Sequence, residues 1–248
     1  RNELFGSNSA LITDASLAAA PLVLAGASGG MAGNIAVSAT ATGVVTGKAT
    51  AASVAIAAGI IGAAALSGAG ATSDNIVQLA TLASAVNANL KTQGSIGSLP
   101  AQKGDITLNA TSDITSSSTV TAVAAAVSGG IGAVSGSIGV SLVQSQIGGD
   151  TLDEALHATR ATAIGSKLEA VGNIGLTADA TERHHIEVAS AAVAIGIGLG
   201  ASLAGAGIGA TVTNHSTVEA KATNSSLIAG GSISVLTTST TTADDAVE

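Results

Sequence analysis

Between Ala191 and Val212 lies AAVAIGIGLGASLAGAGIGATV, 22 residues without one charged or aromatic side chain. A run like this suits a membrane span, a glycine-rich nucleotide loop or a strand of a large sheet. Its internal period decides among them. Val193, Ile195, Ile197 and Leu199 occupy every second position, with Ala194, Gly196 and Gly198 between them. On a strand that spacing gathers the large residues on one face and the small ones on the other. On a helix, at 100° per residue, the same four would scatter around the circumference. Ile138, Val140 and Leu142 alternate with Gly139 and Ser141 in the same way. Glycine weakens helices and strands alike, so period carries the assignment and propensity does not. The alternation predicts that Val193, Ile195, Ile197 and Leu199 point into a core. Gly196 and Gly198 would then face outward or toward another sheet.

The run is one of three. Ala51–Ala71, Ala122–Val143 and Val188–Val212 are all rich in Ala and Gly, and each follows a shared frame and a Thr/Ser-rich stretch. The frame reads Gly, a polar turn residue, Ile, a small residue, then Val or Leu. It occurs at Gly33-Asn34-Ile35-Ala36-Val37, Gly104-Asp105-Ile106-Thr107-Leu108, Gly172-Asn173-Ile174-Gly175-Leu176 and Gly231-Ser232-Ile233-Ser234-Val235. Counting from Gly33, Gly104, Gly172 and Gly231, the spacings are 71, 68 and 59 residues. Ser166-Lys167-Leu168-Glu169-Ala170-Val171-Gly172 likewise matches Ser225-Ser226-Leu227-Ile228-Ala229-Gly230-Gly231. An imperfect repeat of this length means that one supersecondary unit recurs and stacks on itself. Each frame is a turn entering a strand, with Gly supplying freedom and Asn or Asp supplying local hydrogen bonds. The repeats cover residues 33–248, and residues 1–32 form an N-terminal segment read as a cap or junction.

Composition fits a thin, repetitive layer. The 248 residues include 32 Gly and 2 Pro, no Cys, Trp or Tyr, and one Phe. The hydrophobic share is 46% and nearly all of it is Ala, Val, Ile and Leu, whereas a compact globule uses aromatic rings to fill irregular gaps. Few prolines leave long hydrogen-bonded ladders uninterrupted. A formal net charge of −8, without a basic patch or a stacking aromatic platform, excludes nucleic acid as a partner. The lack of Cys excludes disulfides and thiolate metal sites.

Motifs with a chemical look are weak in so biased a chain. Gly26-Ala27-Ser28-Gly29-Gly30 fits a nucleophile elbow, but no alternation of strand and helix surrounds it. Gly196-Ile197-Gly198-Leu199-Gly200-Ala201 fits a dinucleotide pattern with Glu219 downstream, and Gly205–Ala210 fits it equally, so glycine density explains both. His184 and His185 sit in Glu182-Arg183-His184-His185-Ile186-Glu187. Metal ligation is conceivable there, but a solvated strand edge or surface is the simpler reading. Leu152–Thr159 reads as a short helix after the Gly148-Gly149-Asp150 turn. Leu17–Ala27 has the apolar character of a signal-peptide core without its basic flank, and reads as structural. Asn109, Asn214 and Asn224 open N-x-[ST] triplets, common in a Ser/Thr-rich chain. No catalytic, cofactor-binding or metal site emerges.

The Gly-Asn/Asp-Ile-x-Val/Leu frame, the Thr-rich stretch and the run AAVAIGIGLGASLAGAGIGATVTNHSTVEA together resemble the filamentous haemagglutinin-like and leukotoxin-type filamentous adhesins of Gram-negative bacteria. Residues 33–242 carry the resemblance, most clearly from Gly104 to Thr242. It implies export to the bacterial cell surface, a right-handed β-solenoid shaft, and adhesion or contact with a host or neighbouring cell. The family transfers no functional residues. The sequence therefore predicts an all-β fold, a repetitive β-solenoid with little helix, built as a non-enzymatic extracellular shaft segment or fibre subunit. Its expected partners are copies of itself or adjacent repeats, and no cofactor is expected. The alternative is a membrane-active or pore-forming toxin segment. Its uncharged runs and the Gly196/Gly200 and Gly205/Gly209 spacings favour that, while the lack of Trp, Tyr and flanking Lys/Arg anchors opposes it.

Overall fold

The computed structural model describes residues 1–13, 23–25, 27–28, 31–93, 104–149 and 157–247. The chain enters through β1 (Asn2–Thr13), β2 (Val23–Ala25) and the small antiparallel pair β3 (Ala27–Ser28) and β4 (Met31–Ala32). It then makes repeated passes. The first is β5 (Ile35–Ile61), β6 (Ala64–Val86) and β7 (Asn89–Thr92). The second is β8 (Ile106–Ile131), β9 (Val134–Ile147), β10 (Ala158–Ile164) and β11 (Lys167–Ala170). The third is β12 (Ile174–Ile197), β13 (Ala201–Asn214), β14 (Thr217–Thr223) and β15 (Ser226–Ala229), and β16 (Ile233–Val247) opens a fourth.

Corresponding strands of successive passes pair in parallel. The first sheet runs β5-β8-β12-β16 and the third runs β2-β7-β11-β15. In the second, β13-β9-β6-β10-β14 are neighbours, and β1 pairs with the Asn75–Val86 half of β6. The all-β expectation holds, all three Ala/Gly-rich runs being strand; among the described residues there is no helix. Ala158 and Thr159, placed in a helix by the sequence pattern, are strand, and residues 150–156 of that pattern lie outside the described residues. The Leu17–Ala27 and Gly26–Gly30 motifs also fall mostly outside them.

The frame predicted from spacing is the register. Ile35, Ile106, Ile174 and Ile233 are direct partners, as are Val37, Leu108, Leu176 and Val235. Leu90, Leu168 and Leu227 match in the third sheet. The polar turn residue does something other than the local bonding expected of it. Asn34 Oδ1 accepts from the Asp105 N–H at 2.9 Å, Asp105 Oδ1 from the Asn173 N–H at 2.6 Å, and Asn173 Oδ1 from the Ser232 N–H at 2.8 Å. The side chains form a ladder between passes, holding each turn to the next.

Interior volume falls along the strands. Near the frames all three sheets converge on Ile35, Leu90, Ile106, Leu108, Leu168, Ile174 and Leu176, with Ala83, Ala85, Ala161 and Ala163 filling between them. Farther along, the first and second sheets alone face each other across Val120, Ala122, Ala124, Val143, Ile186 and Val188. Toward the far end the described interior residues are Ala, Ser and Gly, apart from Ile208 at the half-exposed β13 edge, and the body narrows to a two-layer blade. Ser67 Oγ donates to Ser53 Oγ across it at 2.9 Å, and Ser141 Oγ to the Ala189 carbonyl at 2.7 Å. Each Ala/Gly-rich run is thus two strands in different sheets, folded face to face through a turn. In the third pass Gly198 (φ 117°) makes that turn, where a Cβ would lie 2.5 Å from the Gly130 carbonyl oxygen.

This arrangement reverses the predicted facing of the runs. Val193, Ile195, Ile197 and Leu199 are exposed, Ile197 by 63% and Leu199 by 79%, while Ala192, Ala194 and Gly196 turn toward the opposite sheet. Strand parity is the cause. β12 runs unbroken from Ile174 to Ile197, and side chains alternate without exception along an unbulged strand. Val193 lies an odd number of residues from Ile174, so once the frame isoleucine faces the core the valine must face out. Small residues inside let the two sheets approach closely.

Candidate functional site

The most distinctive surface is the outside of the blade. On the first sheet the outward rows change character abruptly. Up to the row of Lys48, Thr119 and Glu187 they carry mainly Thr, Ser and charged residues, with Val44 and Leu236 exposed among them. Beyond it come Thr50/Thr121/Ala189 and Ala52/Val123/Ala191, and then the aliphatic rows Val54/Ala125/Val193, Ile56/Val127/Ile195 and Ala58/Gly129/Ile197. On the second sheet the last ionisable outward residue of β6 is Asp74. It sits at the same height, since Gly47 beside Lys48 faces Ser73 and Asn75 across the interior. Between Asp74 and the turn lie five rows: Thr72/Leu142/Gly209, Gly70/Val140/Gly207, Gly68/Ile138/Gly205, Leu66/Gly136/Leu203 and Ala64/Val134/Ala201. Ile60, Ile61, Ile131 and Leu199 finish the tip, all exposed. Both faces and the end of the blade are therefore aliphatic and uncharged. A monomeric soluble protein rarely presents contiguous apolar surface on this scale without using it.

A polar layer is buried at the middle of the body. Glu182 and His184 point inward from β12, and His157 precedes β10; all three are almost fully buried. His157 Nδ1 accepts the Leu79 N–H at 3.2 Å, which leaves Nε2 as the nitrogen donating to Glu182 Oε1 at 3.1 Å. Glu182 Oε2 accepts from Asn214 Nδ2 and from the hydroxyls of Ser216 and Thr241, each at 3.2 Å for the two hydroxyls. Burial pushes the Glu182 carboxyl upward, but the hydrogen bonds from His157, Asn214 and Ser216 outweigh it and hold the pKa below 4.5. His184 Nδ1 lies 2.8 Å from Ser145 Oγ, which lies 2.7 Å from Ser116 Oγ. Asn75 continues the network, donating to Ser118 Oγ at 2.9 Å. Burial drives the His184 pKa below 6.5, against the attraction of Glu182 and Asp245.

The Glu182–Glu187 segment thus departs from the solvated edge predicted for it. Glu182 and His184 are core, whereas Arg183 and His185 are exposed and pair with Asp113 and Asp244. Ser145 and His184 have the distance of a nucleophile and its base. Ser145, Ser116 and His184 are nevertheless buried in the interior of the body. Among the described residues no group of three or more His, Asp or Glu is placed to hold a metal ion. Gly196–Ala201 makes the β12–β13 turn without the helix a dinucleotide site requires. Asn109 faces out from β8, Asn214 serves the polar layer, and Asn224 takes a turn with φ 50°.

Sequence reasoning found the register and the runs, and missed that the exposed aliphatic face and the buried Glu182–His184 pair follow from one parity. Comparison with protein-family models, with curated proteins and with solved structures gives no match.

Proposed function

We propose that this chain is a non-catalytic, extracellular structural protein: a β-solenoid segment serving as shaft or subunit of a bacterial surface adhesin or fibre. The observation that carries this reading is the condition of the fourth pass. Ile106, Leu108, Ile174 and Leu176 are completely buried, whereas their register partners Ile233 and Val235 are each 49% exposed. The frame core is laid down again in β16 and left half covered. Solenoid ends expose core and strand edge, and gain stability when another coil covers them. The cover would be a further coil of the same polypeptide or a second copy, and either builds a rod. The turn ladder of Asn34, Asp105 and Asn173 supports the same reading, because it repeats by simple stacking.

The test is sedimentation and negative-stain microscopy of the isolated chain over a range of concentrations, with protease accessibility on intact producing cells. Concentration-dependent rods, and cleavage on intact cells, are expected. A compact species of constant mass, or protection until lysis, contradicts the reading. The exposed aliphatic blade favours a second reading, a membrane-active segment. Against it, the outer strands β5 and β13 of the blade leave a row of backbone groups unpaired among the described residues. Hydrocarbon penalises such groups by several kcal/mol each (about 4–8 in a solvent that forms no hydrogen bonds). Dye release from vesicles at low protein concentration would favour this second reading over the first.

A further inference from the structure

We infer that the outer face of the second sheet of the blade is a homotypic docking surface, on which a second copy of this chain packs face to face about a two-fold axis. The pairing is lateral and does not depend on the end-to-end stacking proposed above.

The outer face of the second sheet alternates knobs and holes. On β6, β9 and β13 the row Leu66/Gly136/Leu203 is followed by Gly68/Ile138/Gly205. Each large residue is a neighbour of glycine along its strand and across to the next strand. Leu66, Ile138 and Leu203 stand out from the sheet, and around Gly136 lies an open depression of about 600 Å³ lined by Leu66, Ile138, Leu203 and Gly205. Now place an axis in the plane of contact, perpendicular to the strands, between the rows of Gly136 and Ile138. It turns a second copy so that each row meets the other. Leu66 then faces Gly68, Ile138 faces Gly136 and Leu203 faces Gly205, so that every knob in the two rows meets a glycine. The next rows outward bring Ala64 to Gly70, Val134 to Val140 and Ala201 to Gly207. Self-complementarity of this kind is what an isologous interface requires. The first sheet lacks it, because its rows stack Ile56, Val127 and Ile195 side by side with no intervening glycine.

Charge also points to a second copy, and area sets how tightly it binds. The chain carries −8 overall, yet residues 64–73, 134–143 and 201–210 contain no ionisable group, so copies can meet here without like charges opposed. A residue on a sheet covers about 32 Å², from a two-residue repeat of about 6.7 Å and a strand spacing of about 4.8 Å. Five outward rows on three strands then offer roughly 500 Å² per copy, below the ~800 Å² of a standard interface. Three passes give a weak contact, and each added pass strengthens it. A lipid phase would fit the apolarity alone. It has no use for the matched rows, and the unpaired edges of β5 and β13 oppose it.

Because the chain contains no cysteine, single Val134→Cys and Val140→Cys chains each carry one thiol. In the two-fold pair Val134 faces Val140 of the other copy across one sheet spacing of about 10 Å, while two Val134 positions lie about 20 Å apart along the strands. A bis-maleimide of about 10 Å reach is therefore expected to join mixed chains and to leave either variant alone largely uncoupled. A Val123→Cys chain, labelled on the opposite face, is the control. Ile138→Ser should weaken dimerisation by about a hundredfold, each dimer holding the contact twice, with the melting temperature unchanged. Gly136→Leu, which fills the hole without adding a polar group, should act likewise. Equal coupling in mixed and unmixed samples, or coupling through Val123→Cys, overturns the inference. So does flotation of the unlabelled protein with phosphatidylcholine vesicles in place of dimerisation. Failure of end-to-end rods with retained Val134–Val140 coupling leaves lateral pairing standing and removes only the stacking.

Discussion

At Gly139 the two sheets of the blade approach closely, and the inverted packing has a sharp consequence there. A Cβ on this residue would lie 2.8 Å from the Ala191 carbonyl oxygen and 3.0 Å from Ser190 Oγ. Gly139→Val is expected to force the layers apart and cost about 1–3 kcal/mol. Ile138→Ser, one residue away on the outward face, should cost about 0.5 kcal/mol or less. Denaturant unfolding of the monomer distinguishes them, and the opposite ranking would restore a core of large residues. His184 and Glu182 make the second residue-scale expectation, one of pH. Burial holds the folded pKa of His184 below 6.5, so on acidification the unfolded chain takes up its proton first. The stability tied to uncharged His184 is present above about pH 6.5 and is lost as pH falls below it. Glu182, held below 4.5, adds a separate loss that begins only in the acid range under that value. Melting temperature should therefore decline in two stages, and His184→Leu should remove the upper one. None of this was legible in the residues alone. The segment Glu182–Glu187 has the composition of a surface, and only the parity of the strand that carries it separates buried Glu182 and His184 from exposed Arg183 and His185.

Among the elements, what the sequence specified best was register. A Gly-polar-Ile frame recurring at uneven spacing still places Ile35, Ile106, Ile174 and Ile233 in one row. The frame starts each strand, so changes in pass length are absorbed elsewhere. The facing of the runs was within reach of the same pattern. Counting from Ile174 along an unbroken strand puts Val193 outside, but that step requires knowing that no turn or bulge intervenes, and Ser/Thr-rich stretches give no such sign. The turn ladder was hidden for a different reason: its bonds join residues 59 to 71 positions apart. They therefore resemble ordinary turn chemistry until the passes are stacked. Asn173 both donates to Asp105 and accepts from the N–H and hydroxyl of Ser232, the latter at 3.0 Å. Asn173→Ala is expected to cost about 1 kcal/mol. Because the lost bonds to Ser232 join the third and fourth passes, the change should appear first as faster amide exchange in β16. Uniform loss of protection across all passes would mean that the ladder is not a local clamp.

For the molecule as a whole, neighbour-only contact makes stability a property of position. β8 and β12 are paired on both sides along most of their length, whereas among the described residues β16 is paired with β12 alone and its inward Ile233 and Val235 are half exposed. In such a stack, opening an outer strand breaks one ladder and opening an inner one breaks two, so the free energy of local opening should rise toward the middle passes. Hydrogen exchange of the dilute protein is expected to be fastest in residues 233–247, intermediate in β5, and slowest in β8 and the frame half of β12. The blade should exchange faster than the body in every pass, because Ala, Ser and Gly bury little apolar area there. The same measurement at high concentration distinguishes the two modes of association. End-to-end stacking covers β16 and should slow its exchange, leaving the middle of the blade unchanged. Lateral pairing should protect residues 64–72, 134–142 and 201–209 of the second sheet and leave β16 as it was. Exchange that is equal in β8 and β16 at low concentration would show one all-or-none unit, and would remove the physical basis for extending the stack one pass at a time.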